Sequence, residues 1–447
     1  MISTALNINK NQINKLAFEK KASARIPEKL WADELVVAYC MASVHDECSL
    51  NTVRAHIYKK FGISISKSGL AKRIKKNGTV ELFKEIVISS FINAVGKGNR
   101  HTFKSLRKRF RRILIQDSTI VQLPNRLFKI FFGVENKDSV LTFSRIQFIY
   151  DILNVNFVNF SIDTYFETDA TSASKIEVIE NDLWLRDRGY FSLDACVKIA
   201  NEGGDFILRY KVKTNLYQKC ANGKLTKIDL VKLLKKNPHQ KIRVLVGNDL
   251  VPMNLVTAPA DQKIANERRR KATEKYGYGT KGKSNSKKDM TPEYYFLCGF
   301  TIFLTSTKLD LNYEEIYALY CLRWRIEIIF KTWKSNLNFD KIHNVSKEQF
   351  YILMYCRLII NEIIYTKFYN VFLELVLTIH NKIISIMALT KHLMIDLSQN
   401  LKDLKNGKID YLITKFSKFC TYDKRKRKNY FEKEQDIFTI LDIIYAK

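Results

Sequence analysis

The sequence predicts a mixed α/β fold preceded and followed by helical regions, and three observations predict it. Stretches rich in β-branched and aromatic residues follow one another between residues 113 and 166, the composition of strands. Between 182 and 213 strand-like and helix-like stretches alternate, as they do where helices cover a sheet. Before about residue 109 and again from 313 onward the apolar spacing is helical.

Along the chain, the first informative segment is 49–76. "SLNTVRAHIYKKFG" sets Leu50, Val53, Ile57 and Phe61 at helical spacing and closes at Gly62, and "SKSGLAKRIKK" is capped by Ser66 with Leu70 and Ile74 inward. Lys67, Lys72, Arg73, Lys75 and Lys76 then point outward. A helix, a short turn and a basic second helix fit a helix-turn-helix whose second helix enters a DNA groove, with Lys72 and Arg73 as contacts. An ordinary helical hairpin with a solvated basic face fits the segment equally.

The strands follow: "ILIQDSTIVQL" (113–123), "SRIQFIYDIL" (144–153) and "NFVNFSIDTYF" (156–166). "ATSASKIEVIEN" reads as a helix, "DLWLRDRGYF" (182–191) as a short strand ending at Asp187, "LDACVKIANEGG" as a helix and "DFILRYKVK" (205–213) as a strand. Residues 214–305 are less regular, with β-like pieces "KIRVLVG" and "EYYFLCGFTIFLTS". The apolar stretch "VFLELVLTIHNKIISIMALT" (371–390) is interrupted by Glu374, His380 and Lys382, which predicts a packed helix and no membrane span.

The chain of 447 residues is 46% hydrophobic, enough for several packed domains. Its 75 Lys and Arg against 45 Asp and Glu leave a net charge of +30, which predicts a polyanionic partner. The charge concentrates at 104–112, 267–275 and 424–428. The opening residues have no apolar run of the kind a signal peptide needs, and the eight cysteines form no C-x2-C pair, so a cytoplasmic, reducing setting is expected. Cys40, His45, Cys48 and His56 match no standard zinc spacing.

"GYGTKGKS" (277–284) fits the phosphate-loop pattern letter for letter. The pattern binds ATP only between an apolar strand and an amphipathic helix. Here "KIANERRRKATEKY" precedes it and "NSKKDMTPEYY" follows, so no ATP site is expected. Residues 263–288 hold ten Lys or Arg and two Glu, a composition suited to clamping phosphates through Arg268, Arg269, Arg270, Lys281 and Lys283.

The segment "YCLRWRIEIIFKTWK" (320–334) carries the most chemistry. Read as one helix at about 100° per residue, it gathers Tyr320, Arg323, Glu327 and Lys334 on a stripe about 60° wide, with Lys331 at its side. Asp117 sits within an apolar strand, where an uncompensated carboxylate is costly and wants a cation. Asp187 ends another strand beside a glycine, at the strand end where α/β folds collect their sites. Two aspartates and a glutamate together form an all-oxygen site for Mg²⁺ or Mn²⁺. Two such ions promote phosphodiester cleavage. Each aspartate taken singly serves equally well as a cap or turn residue.

The spacing Tyr320-x2-Arg323-x3-Glu327-x6-Lys334 resembles the Y-x2-R-x3-E-x6-K signature of DDE transposases of bacterial insertion sequences, in the group named after insertion sequence four. "LIQDSTIVQLP" around Asp117 and "LRDRGYF" around Asp187 resemble the two aspartate motifs of that family, and the likeness runs from about 110 to 345.

The resemblance implies an α/β fold with an RNase H-like catalytic core and a mostly β insertion domain. On that reading 1–108 is a helical DNA-binding region, 109–213 and 306–345 are the two parts of the core, 214–305 is the insertion, and 346–447 is a C-terminal helical region. It implies that Asp117, Asp187 and Glu327 are the catalytic, metal-binding triad for two Mg²⁺ or Mn²⁺ ions. Tyr320, Arg323 and Lys334 would hold DNA phosphates near the cut end, and Lys331 and Arg188 are further candidates for DNA contact. The implied reaction is cut-and-paste transposition on double-stranded DNA, at terminal inverted repeats and a target, by a homodimer in a synaptic complex at the nucleoid. Trp31, Trp184, Trp324 and Trp333 all lie outside the insertion, where some relatives stack a tryptophan on a flipped base. Tyr276 or Tyr278 could stack instead. A catalytically decayed DNA-binding protein and a metal-dependent nuclease without strand transfer are the rival readings.

Overall fold

The computed structural model describes residues 9–45, 47–94, 104–136, 139–220, 222–276 and 291–423, with 428, 432, 433, 435–437, 439 and 441 beyond them. The loop 277–284, with Lys281, Lys283 and Tyr278, therefore lies outside the described residues. So do 424–427 of the late basic run.

Helices α1 (Lys10–Glu19), α2 (Ala32–Ser43), α3 (Leu50–Phe61), α4 (Lys67–Ile74), α5 (Asn77–Ala94) and α6 (Lys104–Arg109) come first. Strands β1 (Arg112–Leu123), β2 (Val134–Asn136), β3 (Ser139–Asp151) and β4 (Asn156–Thr164) follow. Then come α7 (Asp169–Ser172), β5 (Asp182–Arg186), α8 (Leu193–Asn201) and β6 (Asp205–Arg209). Next are β7 (Leu216–Lys219), β8 (Leu225–Lys227), α9 (Leu230–Lys236), β9 (Gln240–Val246), β10 (Val251–Pro259), α10 (Gln262–Tyr276), α11 (Pro292–Leu297) and β11 (Phe300–Thr305). Helices α12 (Tyr313–Cys321), α13 (Trp324–Asn336), α14 (Lys347–Ile363), α15 (Asn370–His380), α16 (Ile386–Ile395), α17 (Leu397–Lys405) and α18 (Ile409–Phe419) complete the order. None is long and apolar enough to cross a membrane among the described residues.

The chain divides into two compact units: Met1–Lys104, Ser118–Thr168 and Trp324–Asp436 form the first, and Ser105–Asp117, Asp169–Arg323 and Ile437–Lys447 the second. In the first unit, α3 and α4 form as expected. Ser49 and Ser66 accept from the backbones of Thr52 and Gly69, Gly62 takes φ +69°, and Val53, Ile57, Leu70 and Ile74 are buried. Only a residue tolerating the left-handed region ends a helix this way at low cost, hence the glycine. Trp333 anchors the core of this unit, its ring 5.0 Å from Phe148, 5.2 Å from Phe157 and 4.8 Å from Phe339. Its Nε1 donates to Asn361 Oδ1 at 2.5 Å, which satisfies the indole where water cannot reach.

In the second unit β1 pairs in parallel with β5, and β5 in parallel with β6. Beyond β6 the sheet runs on through β11, β10, β9, β7 and β8, all antiparallel. Strand β1 begins in this unit and ends in the first, where β3 is its neighbour and β4 pairs with β3. This mixed sheet with flanking helices is the predicted α/β fold, and the strands beyond β6 extend the same sheet.

Several local expectations are corrected. "ATSASKIEVIEN" is helical only over Asp169–Ser172, because the side chains of Gln116 and Arg186 take the carbonyls of Ser172 and Ala173 at 3.0 and 2.7 Å and those oxygens can no longer continue a helix. "EYYFLCGFTIFLTS" is half helix: Thr291 caps α11 with Pro292 in its first turn, and the strand starts only at Phe300. Residues 371–390 fall in two helices, the first ending at Asn381 with φ +49°. Strand β10 was not foreseen, since Pro252 and Pro259 within it weaken the strand signal.

Candidate active site

Residues 320–334 do not form one helix. Helix α12 ends at Cys321 and α13 starts at Trp324, and between them Leu322 and Arg323 donate to Leu319 and Tyr320 three residues back, each at 3.1 Å. The expected single stripe is thus split: Tyr320 and Arg323 belong to the second unit, Glu327, Lys331 and Lys334 to the first.

In the second unit the parallel register matches Ile115 to Leu185. Asp117 stands two residues beyond Ile115 in β1 and Asp187 directly after the last residue of β5, so the parallel register carries both carboxylates to the same end of neighbouring strands. Both are partly accessible. Two carboxylates this close repel and require positive charge or a donated proton. The signature supplies both. Arg323 Nη1 stands 3.6 Å from Asp117 Oδ2, an ion-pair separation, and Tyr320 donates its phenol proton to Asp187 Oδ1 at 3.2 Å. Burial first, and then the Asp187 charge, push the Tyr320 hydroxyl well above its ordinary range, so it remains a donor.

One residue before each aspartate, and hence on the opposite face of the sheet, lies a pair the sequence reading missed. Arg186, fully buried, donates to Gln116 Oε1 at 2.8 Å and to the Ala173 carbonyl. Its Nε and Nη1 have no partner among the described residues, and burial lowers its pKa to about 10. A cation in the otherwise apolar run "LWLRD" was its sequence signal, as the carboxylate in "ILIQD" was for Asp117. Gly189 follows Asp187 closely because any Cβ there would stand 3.2 Å from Asp169 Oδ2.

Glu327 lies in the first turn of α13 with an exposed side chain, Lys331 is exposed and Lys334 half-buried on the same helix. Among the described residues no three His, Cys, Asp or Glu side chains are grouped closely enough to hold a metal ion. That holds for Cys40, His45, Cys48 and His56 too. The aspartate pair nonetheless fits a hard divalent cation in its chemistry: both donors are oxygens, adjacent and reachable from solvent.

The expected DNA contacts have varied surroundings. Lys72 and Arg188 are exposed, whereas Arg73 donates to the Leu30 carbonyl at 2.5 Å. On α10, Arg268 donates to the Phe300 carbonyl at 2.9 Å, Arg269 lies 5.1 Å over the Tyr295 ring, and Arg270 pairs with Glu274.

Comparisons with known proteins bear on the family of the chain. "Transposase for insertion sequence element IS1151" of Clostridium perfringens is 26% identical over 78% of this chain and 76% of that protein. "Transposase for insertion sequence element IS231C" of Bacillus thuringiensis subsp. berliner is 28% identical over 89% of this chain and 85% of that protein. A solved piggyBac transposase synaptic complex with hairpin DNA covers 96% of this chain and 86% of that one, with 10% identity and a TM-score of 0.41. At that distance the strand order described above carries the fold. The family model described as transposase DDE domain matches residues 108–360, more than half the chain and a range that includes 320–334, and the chain belongs to that family.

Proposed function

We propose that this chain is the transposase of an insertion sequence, which binds the DNA ends of its element, cleaves a strand there and joins the freed end to a target. The observation that carries the reading is the pairing of signature with aspartates: Tyr320 holds Asp187, and Arg323 faces Asp117. Each contact ties one residue of the signature to one of the two aspartates, which supports a common site.

The proposed catalytic set is Asp117, Asp187 and Glu327, holding two Mg²⁺ or Mn²⁺ ions. Ions bound there would activate the attacking oxygen and stabilise the leaving one. Tyr320 orients Asp187 through its donated proton, and Arg323 offsets the charge on Asp117 until substrate arrives. Lys331 and Lys334, on the helix that carries Glu327, offer point charges to phosphates. The net charge of +30 supports a duplex partner. The proposed partners are terminal inverted repeats, target DNA and a second copy of the chain in a synaptic complex within the cytoplasm, at the nucleoid. The proposed organisation keeps 1–108 for end recognition, with α3 and α4 as a helix-turn-helix, 109–213 and 306–345 for catalysis, 214–305 as the insertion, and 346–447 as a helical region.

The test incubates labelled DNA carrying the element's flanking ends with the protein in Mg²⁺ or Mn²⁺, beside Asp117→Asn, Asp187→Asn and Glu327→Gln. Nicking at the end, lost in all three variants while binding is kept, is the expected result. Cleavage without joining would reduce the assignment to a nuclease, and binding without cleavage by the wild type would sink the catalytic reading.

A further inference from the structure

We infer that the first unit contains a binding site for a linear polyamine, in a cleft where α5, β4 and α14 meet. Its ligand chemistry rests on neither DNA nor the aspartates. A cavity of about 570 Å³ lies there, within the roughly 300–1,000 Å³ of small-molecule sites. Glu81 and Lys84 line it from α5, Phe160 and Asp163 from β4, and Lys347, Glu348, Tyr351 and Tyr355 from α14. All of them belong to the first unit.

Three carboxylates against two ammonium groups give this lining an acidic balance, in a chain whose net charge is +30. Among the described residues none of the five makes an ion pair, although Ser161 and Ser346 donate to Asp163 and Glu348. Carboxylates gathered without a paired cation repel one another, and an ammonium group entering the cleft relieves that. Tyr355 points independently to a ligand. It is 5% exposed, lines the cavity, and its hydroxyl has no partner among the described residues. A buried hydroxyl left unbonded is costly, and an ammonium N–H is a donor that its oxygen can accept. Burial first, then Tyr351 and Glu81, push the Tyr355 pKa well up, so the hydroxyl stays protonated. Burial and then Asp163 raise that of Tyr351. Each tyrosine thus stands in the field of one carboxylate of the cleft.

The walls between the charges are aromatic. Tyr351 and Tyr355 stack at 6.1 Å, and Phe160 meets Tyr355 edge to face at 5.8 Å. Such faces attract ammonium groups and cover the methylene chain that joins them. One positive charge would answer one carboxylate. Three carboxylates, each carried by a different element, call for several charges strung along a flexible apolar chain, which is the chemistry of a polyamine. Lys84 and Lys347 oppose a cation, so they limit the affinity of the cleft.

The test measures thermal unfolding of the full chain in spermidine and in sodium chloride at matched ionic strength. Wild type should gain on the order of 2 °C in spermidine. Glu81→Gln, at an exposed position, should lose that gain, and Tyr355→Phe should lose part of it while keeping the aromatic wall. Glu85→Gln, one turn further along α5 and outside the cavity, should keep all of it. Calorimetry should show spermidine affinity weakened about tenfold or more in Glu81→Gln, and tightened in Lys84→Met, where a repelling charge has gone. An equal gain in wild type and Glu81→Gln, or none in wild type, would overturn the inference. Weaker binding by Lys84→Met would mean that the cleft takes an anion, and an equal gain from Nα-acetyl-lysine amide that it recognises a single ammonium group; either result removes the polyamine. Because these readouts need neither element ends nor cleavage, their failure is distinct from failure of the transposase reading.

Discussion

Tyr320 reaches from the last turn of α12 to donate its hydroxyl proton to Asp187, 133 residues earlier in the chain, at 3.2 Å. A hydrogen bond to an ionised carboxylate contributes about 1.5–3 kcal/mol. Tyr320→Phe keeps the ring packing against Phe303 and loses only this constraint. End cleavage should fall about tenfold to a hundredfold with DNA affinity little changed. A variant that cleaves as fast as wild type would show the bond to be incidental.

Ligation of a metal by Asp187 has its own signature. Replacing the carboxylate by a thiolate changes a hard donor into a softer one, which Mn²⁺ accepts more readily than Mg²⁺. Asp187→Cys should therefore be inactive in Mg²⁺ and partly restored in Mn²⁺. No difference between the metals at any concentration would argue that Asp187 does not touch the ion.

The pair beneath the aspartates sets a third expectation. Arg186 ties Gln116 and the Ala173 carbonyl together in a site closed to water. Arg186→Ala leaves a cavity and strips those acceptors of their donor, and should cost about 2–4 kcal/mol in urea unfolding. A smaller loss would mean that the cost of burying the guanidinium cancels its bonds.

In the first unit, Trp333→Ala removes the ring on which Phe148, Phe157, Phe330 and Phe339 converge and orphans Asn361. A loss of about 3–5 kcal/mol is expected, read from denaturant midpoints; Trp333→Phe should recover most of the packing and not the hydrogen bond.

Acid should weaken that unit as well. His56 is held below its ordinary pKa by burial and by the neighbouring His45, and His343 by burial and Arg357. Because both folded values are depressed, the stability tied to their neutral forms is complete above pH 6.5 and drains away as pH falls through the folded values. The urea midpoint should drop between pH 7 and 5, and the drop should be shallower in a His56→Gln, His343→Gln variant.

Strands β1, β3, β4, β5 and β6 were legible because apolar runs such as "ILIQD" and "LWLRD" state their own burial, and a charged residue inside such a run marks a candidate site. The helical hairpin was legible through Gly62 and Ser66, whose backbone freedom and side chain act locally. The break at Leu322 and Arg323 was not, because nothing local ends a helix there: the turn is held by packing of Leu322 and by the attraction of Arg323 to a carboxylate more than two hundred residues away. Arg209 stayed hidden for a similar reason. In sequence it is one more cation in a basic chain, and only the folded sheet lays its guanidinium 5.9 Å over the ring of Tyr320.

The late position of Tyr320 and Arg323 bears on how such a protein is made. A ribosome delivers both aspartates long before it delivers the residues that balance them, so a chain released early carries two adjacent carboxylates with neither their proton donor nor their cation. The two carboxylates and the residues that balance them stand together only when nearly three-quarters of the chain has been completed.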